Sequence, residues 1–150
     1  MDEAVKAQVI SILEDVNDLT IATVREDGWP QATTVSFVND GLKIYFGTAA
    51  DAQKAQNIAA NNKVSLTVNR SYDSWGEIEG ISASGAASLV VDEQEKQKIG
   101  NLIFAKFPQL AEYFPAETST EDLAFFRIDL SIISLLDYRK GFGHCDLISV

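Results

Sequence analysis

Residues 28–58, GWPQATTVSFVNDGLKIYFGTAADAQKAQNI, decide the reading of this chain. Side chains alternate between apolar and polar over Ala32–Val38 and Leu42–Phe46, the period of half-buried strands. Asn39-Asp40-Gly41 separates them with residues that tolerate a tight hairpin turn. Gly47 and Thr48 open a small-residue loop, Asp51 is a good N-cap, and Gln53 and Lys54 fall in the first turn of a helix. Free backbone N–H groups, a hydroxyl and an ammonium are thereby expected to converge at the end of the second strand of this unit. That set of donors suits a phosphate.

Working outward, Val5, Val9, Ile12, Leu13 and Val16 recur at helical spacing and predict an amphipathic helix over residues 2–16 that lids the core or a partner subunit. Leu19–Arg25 reads as a strand, turned at Glu26-Asp27-Gly28, and the next strand starts after Trp29-Pro30. The helix from Asp51 carries a slim apolar face of Ala52, Ala55, Ile58 and Ala59 and ends at Asn61-Asn62. Val64, Leu66 and Val68 alternate in a fourth strand, and a fifth runs from about Glu77 to Val90. Gly80 and Gly85 within it imply bending or close backbone approach. Asp92 and Glu95 form a capping-box variant before a helix that turns Ile99, Leu102, Ile103 and Phe107 inward and stops at Pro108. A short helical turn at Leu110–Phe114 and a polar loop from Pro115 to Asp122 precede a sixth strand, Ala124–Tyr138. In it Phe126, Ile128, Leu130, Ile132 and Leu136 are expected on one face, and the tail after Tyr138 shows no period. Links as short as residues 26–30 and 39–41 exclude parallel pairing there and favour a closed or nearly closed antiparallel barrel.

At 150 residues, 46% of them hydrophobic, the chain has the size and composition of one globular domain with a sizeable core. No apolar run approaches a membrane span, and the acidic start MDEAVKAQ lacks the pattern of a secretory signal. A single cysteine, Cys145, rules out an internal disulfide and suits a reducing cytoplasm; a single histidine, His144, rules out a multi-histidine metal site within one chain. A net charge of −10 argues against a nucleic-acid partner. The charge is uneven: residues 20–72 carry five basic and four acidic groups and sum to +1, leaving −11 for the remainder. Either an anionic ligand draws on this local relief or the scatter is chance.

With these elements in place, the chain resembles the pyridoxamine 5′-phosphate oxidase-like family of FMN-binding split barrels. The resemblance rests on REDGWPQATTVSF, DGLKIYFGT, AQKAQNI and NKVSLTV, in that order and spacing, and is best over Asp18–Ala87. It implies a mainly β fold with peripheral helices, a six-stranded antiparallel split β-barrel of Greek-key type. It also implies a homodimer with FMN sites at the subunit interface and a small-molecule substrate. Carried over, Ala32, Thr33, Thr34, Val35 and Ser36 would border the isoalloxazine ring and ribityl chain. Gly47 and Thr48 would meet the phosphate, with Gln53 and Lys54 at the helix start. Aromatic groups of a partner subunit, Trp75 among the candidates, would border the ring.

The sequence departs from true pyridoxamine phosphate oxidases, whose second strand begins with arginine and ends with lysine. Those places fall near Thr33 and Phe37, and the tail reads Gly141-Phe142-Gly143-His144-Cys145-Asp146 where that family has an Arg-Leu-His element. Weak binding of pyridoxamine phosphate is therefore expected.

Each candidate also has a plainer role. Lys54 is a phosphate ligand or a solvated helix lysine, although a cation in a first turn opposes the helix dipole unless an anion compensates. Thr33, Thr34, Ser36 and Gln53 are flavin contacts or ordinary surface positions. Trp29 and Trp75 are packing, interface or stacking groups. Arg70 and Tyr72 belong to a surface loop or to a flap over a site. His144 is a proton donor or a structural histidine. No residue is assigned a catalytic role, since a bound flavin would carry the redox chemistry itself. The reading favours an FMN-dependent oxidoreductase over a flavin, deazaflavin or haem carrier, and over true pyridoxamine phosphate oxidation.

Overall fold

The computed structural model describes residues 1–114 and 119–150. The described chain runs α1 (Glu3–Asp15), β1 (Asp18–Val24), β2 (Pro30–Ser36), β3 (Val38–Asp40), β4 (Lys43–Ala49), α2 (Gln53–Ala60), β5 (Lys63–Asn69) and β6 (Glu79–Leu89). It continues with α3 (Glu93–Lys106), α4 (Leu110–Tyr113), β7 (Leu123–Asp137) and β8 (Cys145–Ser149), with 3₁₀ turns at Trp75–Glu77 and Tyr138–Lys140. The strands form one antiparallel sheet in the order β2-β1-β5-β6-β7-β4-β3, with β8 added on β7. β2 and β3 stand at opposite ends of that order, yet only Phe37 separates them in sequence. The sheet must therefore curl until its two edges meet, which makes the split β-barrel expected from the sequence.

This arrangement corrects the hairpin expected in residues 32–46. β2 pairs with β1 along its whole length, from Asp18↔Ser36 to Val24↔Pro30, and not with β4. The hairpin partner of β4 is the short β3, paired from Val38↔Tyr45 to Asp40↔Lys43. The continuous pattern through Val38 concealed the break because Phe37 is itself fully buried and leaves the alternation nearly intact.

The barrel interior is filled by Leu19, Ile21, Ile44, Phe46, Leu66, Val68, Ile81, Phe126, Ile128 and Leu135 and is closed by α1 through Val9, Ile12 and Leu13. Phe46 and Phe126 stack at 5.4 Å across the β4–β7 pair. α2 adds Ala55 and Ile58 to the same core. On the outer face, α3 packs Ile99 onto Val38, Tyr45 and Val90. Asp92 caps α3 as expected, accepting from the Glu95 N–H at 2.9 Å. Glu95 in turn accepts from Arg127 with both oxygens at 2.9 Å, tying the helix to β7. The described helices include none long and apolar enough to cross a membrane.

Eight strands replace the six expected. Besides β3, the aperiodic tail contributes β8, whose pairing with β7 from Ile132↔Ser149 to Leu136↔Cys145 is a tertiary contact that leaves little trace in local pattern. The facing of β7 is also corrected. Phe126, Ile128 and Leu130 point inward, but beyond them Ile133 and Leu135 are buried while Ile132 is exposed. The register slips at Ser84/Gly85, where Ser84 opposes Ile132 and Gly85 opposes Leu130, so Ser131 is an extra residue that inverts the alternation. Gly85 is the reason the bulge fits: a Cβ there would lie 2.2 Å from the Asp129 carbonyl oxygen. Of the expected loop Pro115–Asp122, residues 115–118 lie outside the described residues.

Two charged clusters hold the closure. Glu79 and Asp137, both buried, are bridged by Gln8 Nε2 at 2.7 and 2.9 Å and by Arg139 Nη2 at 2.6 and 3.1 Å. Arg139 hydrogen bonds hold the Asp137 carboxyl down at about 2. At the other end of α1, Lys106 Nζ donates to the carbonyls of Leu13, Val16 and Phe37 at 3.1, 2.7 and 3.1 Å. The same ammonium lies 3.9 Å above the Phe37 ring, so one cation joins the C-terminus of α1 to the barrel seam.

Two outcomes are expected. Gly85→Ala forces the Asp129 backbone aside and lowers the urea unfolding free energy by at least about 2 kcal/mol, whereas Gly76→Ala, where a Cβ meets nothing, stays within about 0.5 kcal/mol. Burial lowers the Lys106 ammonium from its ordinary 10.5 to about 8, so above pH 8 the folded chain releases a proton that the unfolded chain keeps. Wild-type stability measured against Lys106→Met therefore rises as pH climbs from about 8 to 10.5. A difference that stays flat across that window contradicts the placement of Lys106.

Candidate functional site

At one corner of the barrel the start of α2 meets the end of β4 through Lys54 and Thr48; α2 reaches β2 through Asn57 and Gln31, and β2 and β4 approach each other across the seam. β4 alternates Ile44 and Phe46 into the core, which carries Thr48 to the same inward side at the strand end. α2 begins one residue later than expected. A backbone bond from Ala52 N–H to the Ala49 carbonyl at 3.0 Å closes a turn that leaves Asp51 outside the helix, so Ala52 is the N-cap and no side chain caps it. The first turn holds no acidic residue, and its N–H groups are the uncompensated positive end of the helix. Lys54 sits there with Nζ 3.4 Å from Thr48 Oγ1. The structure thus brings Thr48 and Lys54 together, with the phosphate-type donor set read from sequence and without the Asp51 cap.

The β2 candidates divide between two faces. Thr33 and Val35 are half-buried on the inward face, Val35 packing on the core, whereas Ala32, Thr34 and Ser36 are exposed on the outer face. Thr33 Oγ1 is enclosed and has no hydrogen-bond partner among the described residues. Ser36 is anchored by a 2.8 Å bond to Asp18, and Thr34 Oγ1 lies 3.5 Å from Thr20 Oγ1. Gly47 is exposed and faces Phe125, whose ring would be 2.9 Å from a Cβ at that position. Ser36 and Gly47 line an open groove of ≈ 520 Å³ with Phe37, Phe46, Phe107 and Phe114.

Gln53 turns away from the corner's hydroxyls and donates to Asn57 Oδ1 at 2.8 Å. Asn57, buried within α2, donates in turn to Thr23 Oγ1 and Gln31 Oε1, both at 3.0 Å. This carboxamide chain, joining α2 to β1 and β2, is absent from the sequence reading. Its signal was a polar residue beside Ile58 on the apolar side of a short helix. Such a position demands buried partners.

The remaining candidates take structural places. Arg70 is bound to Asp15 at 2.6 Å and Glu79 at 2.7 Å, so it neither closes over the corner nor contributes to its local charge. Trp29 and Trp75 are exposed, and Trp75 leans on Phe142 with centroids 6.0 Å apart. His144 Nε2 pairs with Asp146 at 3.0 Å on the β8 side of the molecule.

The enclosed Thr33 hydroxyl gives a direct check. Thr33→Val keeps the shape and removes the orphaned polar atom, so the ligand-free protein is expected to gain about 1 kcal/mol in urea unfolding. A loss of that size would mean that the hydroxyl has a partner.

Comparison with known proteins agrees with this architecture. General stress protein 26 of Bacillus subtilis (strain 168) is 27% identical over 95 residues, a stretch that covers 63% of this chain and 66%, just under two thirds, of that protein. The structure of General Stress Protein 26 from Bacillus anthracis superposes with a TM-score of 0.74 at 18% identity, over 97% of this chain and 98% of that one. A heme binding protein from Mycobacterium smegmatis gives 0.78 at 16% identity, over 99% of this chain but 58% of its own. At such identities the two structures speak for the fold alone. The family model described as pyridoxamine 5′-phosphate oxidase matches residues 5–136, which takes in all but the first two residues of α1, the whole seam and all but the last residue of β7. The chain therefore belongs to the pyridoxamine 5′-phosphate oxidase family.

Proposed function

We propose that this protein binds FMN and acts as an FMN-dependent oxidoreductase on a small organic molecule, with two copies building the site between them. The observation that carries the reading is the Thr48–Lys54 pair at the uncapped, acid-free start of α2. A lysine in that position is unfavourable beside the helix dipole unless an anion sits with it, and it has no carboxylate partner among the described residues. Lys54, the Thr48 hydroxyl and the α2 N–H groups hold the phosphate. When bound, FMN supplies reversible hydride and single-electron chemistry.

The exposed outer face of β2, with Ala32, Thr34 and Ser36, supplies one wall for the isoalloxazine ring. A second copy of the chain supplies the other, which supports a homodimer. Gly47 leaves room at the strand end where any side chain would strike Phe125. The groove beside it, lined by phenylalanine rings, admits a substrate without a phosphate, since Thr33 and Phe37 stand where an arginine and a lysine would hold one. That composition disfavours pyridoxamine phosphate as the substrate.

Absorption spectroscopy of the purified protein tests the reading, because bound flavin and bound haem have distinct spectra. A flavin spectrum, or uptake of added FMN with quenching of its fluorescence, is the expected result. A Soret band, or a colourless protein that ignores FMN, overturns it. Lys54→Ala is expected to weaken FMN by about tenfold or more while leaving riboflavin, which lacks the phosphate, nearly unchanged. Equal affinity of variant and wild type for FMN would remove Lys54 from the phosphate site.

A further inference from the structure

We propose that Asn57 is a positioning residue that turns the Gln31 carboxamide so that its N–H₂ group faces the ligand. This inference rests on the flavin reading above and extends it to a residue to which the resemblance assigns no role. The hydrogen bonds of the structure give the chain its polarity. In one orientation Asn57 Nδ2 spends both hydrogens, on Thr23 Oγ1 and Gln31 Oε1, and Oδ1 accepts one from Gln53. Turning all three amides over would let Oδ1 accept from Thr23 and Gln31 and leave Nδ2 with only Gln53 to donate to. One Asn57 N–H would then be buried without a partner, since the residue is 2% exposed. The structure holds the amides in the first orientation, with both Asn57 hydrogens used and the Thr23 hydroxyl accepting.

The consequences reach the corner. With its oxygen taken by Asn57, Gln31 has two N–H donors left for a ligand. It lies two residues from Thr33 on the inward face of β2, and Asn57 is one helical turn from Lys54. Gln31, Thr48, Lys54 and the start of α2 then all have hydrogens to offer. A surface that donates from every side recognises an oxygen-rich ligand, a polyol ending in a phosphate, and discriminates against an apolar macrocycle. Asn57 touches none of the ligand itself and acts through Gln31.

Side-chain amide hydrogen exchange by ¹⁵N NMR, combined with FMN fluorescence titration, tests this on the full chain and on Asn57→Asp. In the ligand-free wild type both Asn57 amide protons are expected to exchange slowly and those of Gln31 quickly, until FMN protects them. Asn57→Asp has the same shape but only accepts, so Gln31 turns its N–H₂ toward it. Its amide protons become protected without FMN, and FMN affinity falls by about tenfold or more. Gln31 protons already protected in the ligand-free wild type overturn the polarity, and an Asn57→Asp chain that binds FMN like wild type overturns the positioning role. A wild type with the expected exchange pattern that takes up no FMN removes the flavin reading and the positioning role together, while the amide orientation stands.

Discussion

The fold depends on a constraint at Phe37. Two strands that occupy opposite edges of the sheet are joined by this single residue, so the sheet has no flat solution. Closing it brings the Phe37 carbonyl and the last carbonyls of α1 to the same point, and Lys106 satisfies them with one ammonium. The Phe37 ring beneath that ammonium is fully buried, which makes the seam both an apolar and an electrostatic junction. The approach of β2 to β4 without pairing follows from the curl, and α2 opens beside the end of β4, where Lys54 meets Thr48.

In a chain of net charge −10, the start of α2 is locally free of acidic residues. The excess carboxylates are either solvated or gathered into clusters that hold the barrel, as Glu79 and Asp137 are by Gln8, Arg70 and Arg139. Buried ion pairs of this kind add little net stability, because desolvation offsets attraction, but breaking one leaves an uncompensated charge and so enforces the docking of α1. The corner at α2 is built oppositely. Its N–H groups, Thr48 and Lys54 form a donor set with no carboxylate partner among the described residues, and Asp51 is kept outside the helix by the turn at Ala49–Ala52.

The family to which the chain belongs, the corner and the groove point in the same functional direction. The split barrel provides the frame, and in the proposed reading the corner seats a phosphate-bearing cofactor while Thr33 and Phe37 argue against a phosphorylated substrate. The likeness to a heme binding protein arises at 16% identity and lies in the frame. In a barrel shared among different ligands, the side chains that line the corner decide which ligand is held.

Much of this was written in local pattern. Alternation located β1, β4, β5 and β6, helical spacing located α1 and α3, and Asp92 marked a cap, because each of these signals depends on neighbours within a few residues. The proximity of Thr48 to Lys54 was legible for the same reason, since a strand end and the next helix start are linked by a short loop. The partner of β2, the existence of β8, the inverted facing of Ile132 and Ile133, and the Asn57 chain were decided by contacts between residues far apart in sequence. Pairing exchanges hydrogen bonds between strands whose side-chain pattern does not name the partner, and one extra residue at Ser131 reverses a facing without changing composition. The sequence by itself thus determined the family, most of the elements and the closeness of Thr48 to Lys54. The tertiary structure alone decided which edges meet, and therefore which polar groups gather at the corner.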